Sequence, residues 1–253
     1  MLAALPLVLG LAACGEGAAP ASAPTPGAVS QADAGYLTPP QVTAARVEGD
    51  TLRLTGSAPP SSRVRLATPE GQAMFADADS KGDWRLSMPR GAQPRIFGLS
   101  AVTGGRTVQS EGYLLLTPEG EAALLRAGAG AVRVGRAGKN DIDAVDFDRE
   151  GGAIVSGRAP AGAALSVHVD GRKLAEGRAD TKGRYVLAMT QPLESGPRQI
   201  DVFGDATENP VVIETSPAAA LSSGPFRASA VSAGLRIDWM TPGGGVQSTI
   251  LLK

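Results

Sequence analysis

The stretch SGRAPAGAALSVHVDGRKLAEGRADTKGRYVLAM, residues 156–189, decides the reading of the whole chain. In Leu165-Ser166-Val167-His168-Val169 the apolar residues fall on every second position. A period of two places Leu165, Val167 and Val169 on one face of an extended strand and Ser166 and His168 on the other. Asp170-Gly171 follows at once, the dipeptide of a two-residue hairpin turn whose central residues both take positive φ. Asp180-Thr181-Lys182-Gly183 reads as a second tight turn between strands.

The same text stands earlier in the chain. LTGSAPPSSRVRL (54–66) aligns with VSGRAPAGAALSV (155–167), and DSKGDWRLSM (79–88) with DTKGRYVLAM (180–189). Gly56 matches Gly157, Pro59 Pro160, Asp79 Asp180, Gly82 Gly183, Trp84 Tyr185 and Met88 Met189, always 101 positions apart. A register held over more than thirty residues predicts two homologous modules of about a hundred residues each.

Outward from these copies, turn chemistry recurs about every 8 to 12 residues. Thr68-Pro69-Glu70-Gly71 and Thr117-Pro118-Glu119-Gly120 each set Pro where a turn fixes φ and Gly where φ must be positive. Thr241-Pro242-Gly243-Gly244 is a looser copy between Leu235–Trp239 and Val246–Ile250. Residues 121–127 fit a short helix or a strand equally well. Hydrophobic residues make up 43% of the 253, enough for a core, but aromatics only 4%, with 33 glycines and 19 prolines. Such a chain is rich in turns and small side chains, and short strands with regular turns predict an all-β fold of two tandem β-sandwiches. The formal net charge of -1 gives no basic excess to attract nucleic acid.

From Gly157 to Tyr185 the sequence resembles the bacterial Ig-like modules of cell-envelope and surface proteins. The shared pattern is Ser-Gly-x-Ala-Pro-x-Gly, a strand, Asp-Gly, a strand, and Ala-Asp-x-x-Gly-aromatic. The first copy departs from it at Ser61, where the pattern has Gly, and at Glu70-Gly71, where it has Asp-Gly. The resemblance implies Ig-like sandwiches of a kind sometimes found with LysM domains. It covers about two thirds of the chain and is specific for fold, not function.

The N-terminus, MLAALPLVLGLAACGEG, is apolar for about a dozen residues, short of the ~20 that span a membrane. It suits a signal-peptide core ending in the small residues of Leu11-Ala12-Ala13-Cys14. This end resembles the bacterial lipobox, which implies cleavage before Cys14 and acylation of that residue, with Gly15 after it favouring the outer membrane. The alternative is a free thiol in a buried N-terminal helix. Cys14 is the only cysteine, so no disulfide forms within the chain. Residues 15–38, with alternating Ala, Pro and Ser, lack the bulky side chains needed to offset ordering entropy and read as a flexible tether. The organisation expected is a signal peptide over 1–13, lipidated Cys and linker over 14–40, a first Ig-like domain over 41–136, and a second over 141–253 that ends in a β-meander.

Candidate chemistry is sparse. Ser166, His168 and Asp170 share a strand face, but at ~6.5 to 7 Å spacing along the backbone they fall short of a contacting triad with an oxyanion hole. Asp77, Asp79 and Asp83 alternate like calcium ligands, yet Lys81 takes a ligand position and Met88 stands where a bidentate Glu belongs. One His and one Cys cannot make a zinc site. Arg136-Ala137-Gly138-Lys139-Asn140 ends like a phosphate loop but has Arg133 for the leading Gly and Asn140 for Ser or Thr, so it reads as an interdomain linker. The pairs among Asp143, Asp146 and Asp148 read as a solvated strand edge, not as glycosidase acids. Trp84, Tyr185 and Trp239 fit sandwich packing. If exposed, they would be ligand-contact aromatics for sugar stacking.

These readings give a non-enzymatic lipoprotein of the cell envelope, without cofactor or metal, anchored by its lipid and facing the periplasm or cell surface. Its partner is an envelope protein or a polysaccharide. Exposed aromatics in a groove would favour peptidoglycan or another glycan; an uncovered strand edge with apolar flanks would favour a protein.

Overall fold

The computed structural model describes residues 35–135, 141–204 and 207–253. These form an all-β body of tandem Ig-like sandwiches, in which residues 37–253 make one compact unit. The strands of the first sandwich are β1 (Gln41–Glu48), β2 (Thr51–Ser57), β3 (Arg63–Ala67), β4 (Ala73–Asp77) and β5 (Asp83–Pro89). They continue with β6 (Arg95–Thr103), β7 (Arg106–Leu116), β8 (Ala122–Leu125) and β9 (Val132–Arg133). One sheet runs β1-β2-β5 and the facing one β4-β3-β6-β7-β8-β9, all antiparallel. Residues 121–127, open between helix and strand in the sequence, hold β8.

The second sandwich begins with β10 (Asp141–Phe147), β11 (Ala153–Arg158), β12 (Ala164–Val169), β13 (Arg172–Arg178) and β14 (Arg184–Ala188). It adds β15 (Gly196–Gly204), β16 (Thr207–Thr215), β17 (Phe226–Val231), β18 (Gly234–Met240) and β19 (Val246–Leu252). Its sheets run β13-β12-β15-β16 and β14-β11-β10-β19-β18-β17. The meander β17–β19 therefore extends a sandwich sheet through β19, which pairs with β10 from Ala144↔Leu251 to Phe147↔Ser248.

Alternation builds each core. In β3, Val64 and Leu66 are buried between exposed Arg63 and Arg65, and in β14 Tyr185 and Leu187 between exposed neighbours. One core gathers Leu52, Leu54, Leu66, Trp84, Phe97 and Leu114; the other Val145, Val155, Val167, Tyr185, Ile200 and Val202. The two copies agree in detail. A bulge follows Val42↔Gly56 in one and Ile142↔Gly157 in the other. The first strands lie 100 residues apart and the later ones 101, because the hairpin closed by Phe147↔Ala153 is one residue longer than that closed by Val47↔Leu52. Gly56 faces Trp84 across the sheet as Gly157 faces Tyr185. A Cβ on Gly56 would lie 2.4 Å from the Trp84 ring and 2.0 Å from the Gln41 carbonyl oxygen, so the ring and neighbouring strand need a bare backbone there.

The turns share one design. Gly71, Gly82, Gly120, Gly151, Gly183 and Gly244 all have positive φ, and each donates its N–H to the carbonyl three residues before it. That earlier residue is Thr or Asp every time: Thr68, Asp79, Thr117, Asp148, Asp180 and Thr241. This is a three-residue hairpin loop closed by a glycine bulge. Asp170 (φ 49) and Gly171 (φ 81) both lie in the left-handed region, as the two-residue hairpin requires.

A third core joins the sandwiches. Ile96, Leu115, Ala123, Leu125 and Ala131 of the first meet Ala144, Ile237, Trp239 and Leu251 of the second. The sequence signalled it in runs that alternation does not explain: Tyr113-Leu114-Leu115-Leu116, Ala122–Leu125 and Ile250-Leu251-Leu252 are apolar at consecutive positions. Strands of that composition are covered on both faces.

Candidate functional site

The aromatics weighed as ligand contacts are inside. Trp84, Tyr185 and Trp239 are 1%, 2% and 0% exposed, so none offers a ring face to a ligand. Trp239 stands edge-on to Tyr113, with ring centroids 5.9 Å apart, and its Nε1 donates to Thr249 Oγ1 at 3.1 Å. In the structure burial of their area outweighs any use at the surface.

Ser166 and His168 are closer than backbone spacing implied. Ser166 Oγ lies 3.2 Å from His168 Nε2, because the side chains lean together along the strand. The third member does not join them. Asp170 accepts hydrogen bonds from Gln199 N and Arg198 Nη1, both at 3.0 Å, and the Gln199 amide foremost holds its carboxyl below the ordinary range. His168 instead packs edge-on against Phe203, at 5.0 Å, on the outer face of its sheet.

The calcium-like loop is a hydrogen-bonded turn. Asp79 Oδ1 accepts from the amides of Lys81 (2.8 Å) and Asp83 (3.0 Å), and Asp180 Oδ1 from those of Lys182 (2.8 Å) and Arg184 (2.9 Å). Those backbone donors, Asp83 and Arg184 first, lower both carboxyl pKa values and explain the Asp-x-x-Gly repeat without an ion. Among the described residues no group of three or more His, Cys, Asp or Glu stands where a metal could be held. Cys14 and the phosphate-loop-like 136–140 lie outside the described residues.

The reading of Asp143 and Asp146 as a solvated edge is corrected. β10 is internal to its sheet, between β11 and β19, and its outer face is covered by the first sandwich, leaving these residues 5% and 2% exposed. Asp146 sits in the joint. Its carboxylate accepts hydrogen bonds from Thr249 Oγ1 (2.5 Å), Ala131 N (2.7 Å) and Gln247 Nε2 (3.0 Å). Burial nonetheless drives its pKa up against these donors. Gln247 Oε1 accepts from Gly128 N, and Ser156 Oγ donates to Ala131 O, so the 126–131 loop of the first sandwich is clamped to the second by satisfied polar groups.

Beside the joint lies a cleft of about 580 Å³, within the size range of ligand sites. Three register breaks deliver polar residues to its lining. The bulge after Val42 contributes Thr43, the one after Ile142 contributes Asp143, and the irregularity between β6 and β7 contributes Ser110 and Glu111. Bulges re-aim side chains, and three converge here. Two sheet-edge strands also line it: β1 through residues 41–43 and β14 through residues 184–186. The lining has six basic residues against three acidic ones, in a chain whose totals are nearly balanced. Arg126 pairs with Glu111, Arg158 faces Asp143 at 3.8 Å and Arg184 pairs with Asp180. Arg178 and Lys182 have no carboxylate partner among the described residues. Sequence reasoning missed this cleft, since nothing local ties Thr43, Ser110 and Lys182 together.

No family model matches the chain, and no curated protein matches it. Solved structures similar to it include the BSP domain of a biofilm-associated protein, at 15% identity and TM-score 0.26, over 73% of this chain and 30% of that one. Others are the central fibronectin-III array of RIM-binding protein (14%, TM-score 0.28, 85% and 86%) and invasin, a bacterial integrin-binding protein (12%, TM-score 0.21, 83% and 47%). The chain spans about a third of the length of the first of these.

Proposed function

We propose that this protein is a non-enzymatic interaction module of the bacterial cell envelope, held at the outer membrane by acylated Cys14 and engaging an envelope protein through its sheet edges or loops. The observation that carries the protein-binding reading is the contrast between buried aromatic rings and open strand edges: Trp84, Tyr185 and Trp239 are all in cores, whereas β14 is a sheet edge flanked by Val186, which is 42% exposed. Main-chain groups on such an edge suit a polypeptide partner. The Ser166–His168 pair lies on an open sheet face, with Asp170 committed to Arg198, and this arrangement supports no acyl transfer. The tight joint makes the two sandwiches a stiff post suited to holding a binding surface away from a membrane.

Three measurements test the reading. Crosslinking in intact envelopes should trap a reproducible protein adduct, while the soluble part, residues 15–253, should stay in the supernatant when mixed with purified peptidoglycan sacculi. Saturable, salt-resistant pelleting with sacculi would replace the protein partner by a glycan. Cys14→Ser should shift the protein from membranes to the soluble fraction; retention in membranes would refute lipid anchoring.

A further inference from the structure

We infer that the cleft at the joint receives an acidic, extended peptide segment, which adds as a strand to the free edge of β14. The inference deepens the protein-partner reading and rests on it.

The register of β14 shows which main-chain groups are open. Ala159 donates to Gly183 O and Met189 to Ala153 O, so residues 183, 185, 187 and 189 turn toward β11. Residues 184, 186 and 188 turn outward. Arg184 spends its outward amide on Asp180 Oδ1 and its carbonyl on Asp180 N. Val186 and Ala188 have no such partner among the described residues, which leaves two outward N–H and C=O pairs on an edge.

Comparison with the other repeat shows that this edge lacks protection. The equivalent strand β5 is also an edge, but it carries Arg85 where β14 has Val186, and Pro89, which has no N–H, where the second repeat has Thr190. Charge and proline are the usual defences of an edge against pairing. In the second repeat both are missing; the Thr190 N–H is spent on Leu174 O, so the open edge is confined to Val186 and Ala188, and apolar Val186 lies beside the cleft. Charge sets the chemistry of the added segment. Arg178 and Lys182, without carboxylate partners among the described residues, flank the edge, whereas Arg158 on the same wall is already engaged by Asp143. A segment carrying Glu or Asp on alternate positions would gain ladder hydrogen bonds from β14 and charge-assisted bonds from Arg178 and Lys182.

The test uses residues 15–253 and two fluorescent octapeptides, one of alternating Glu and Thr and one of alternating Lys and Thr, followed by anisotropy over a salt series. The acidic peptide should bind, less tightly as salt rises, and the basic one should not. Lys182→Glu with Arg178→Glu, both exposed, should weaken binding about tenfold or more, by reversing two charges at the site. Val186→Pro removes one outward N–H without touching the β11 ladder and should weaken it about tenfold, whereas Val186→Thr should not. On binding, the Val186 and Ala188 amides should gain protection from hydrogen exchange. No binding of the acidic peptide, binding unaffected by Val186→Pro, or competition by trigalacturonate but not by unlabelled peptide would each overturn the inference. An envelope adduct that maps away from the cleft would refute this site while leaving the protein-partner reading standing.

Discussion

Ser61 is the residue at which the first repeat departs from the pattern of the second, and the structure shows its cost. It has φ 55 and occupies the place of Gly162, which has φ 75. A Cβ in the left-handed region costs about 1–2 kcal/mol, partly offset in glycine by the greater freedom it loses on folding. Ser61 is exposed, and the bond it makes to Asp79 O runs through its backbone amide, which glycine keeps. Ser61→Gly should therefore stabilise the protein by about 0.5 kcal/mol, read as a higher urea midpoint at unchanged slope. A lower midpoint would mean that the side chain has a role its surroundings do not show. This position was legible in the sequence, as were Gly71, Gly82, Gly120, Gly183 and Gly244 though not Gly151, because positive φ is a local demand that few residues meet. The partners of Asp146 were not legible, because Ala131, Gln247 and Thr249 come from three separate segments and meet only in the folded joint.

At the level of elements, the two repeats diverge after the strands they share. In the first, β8 covers the outer edge of β7; in the second, the equivalent edge of β16 stays open, since the chain leaves to form β17–β19 on the other sheet. The open edge has its own defence. Asp170 donates to Gln199 O, which orients odd-numbered residues of β15 toward β12 and even-numbered ones toward β16. Pro210, opposite Asp201, then turns its ring nitrogen to the free edge and leaves no donor at the middle of the strand. Val212, two residues on, is 58% exposed. Pro210→Val should restore the missing donor beside that apolar side chain and promote edge-to-edge association, seen as a concentration-dependent rise in sedimentation coefficient. A variant that stays monomeric at high concentration would show that the proline is not what protects the edge. Strand existence and turn type followed from period and turn residues. Which edges stay open did not, because that depends on where the chain goes after Thr215.

The whole molecule differs from two beads on a string. An interface containing Leu115, Leu125, Trp239 and Leu251, all buried, together with a buried carboxylate that accepts hydrogen bonds from both sandwiches, couples the stability of one to that of the other. Separating them would expose these side chains, each contributing on the order of 1.5–3 kcal/mol of burial, and would leave Asp146 without the Ala131 donor. That loss is comparable to the total stability of an ordinary domain, so neither sandwich should persist once the other unfolds. The described body should melt in one transition whose calorimetric and van't Hoff enthalpies agree. Trp239→Ala removes the largest side chain of the joint and the Nε1 donor to Thr249 Oγ1, which keeps its bond to Asp146, at a cost of about 3–5 kcal/mol. Because that cost falls on the joint and on the sheet that β18 completes, it should lower the melting temperature and resolve the single endotherm into two, the second sandwich melting first. Two endotherms in the unsubstituted protein would mean that the apolar joint closes without coupling the modules, and the stiffness assigned to the post would lose its basis.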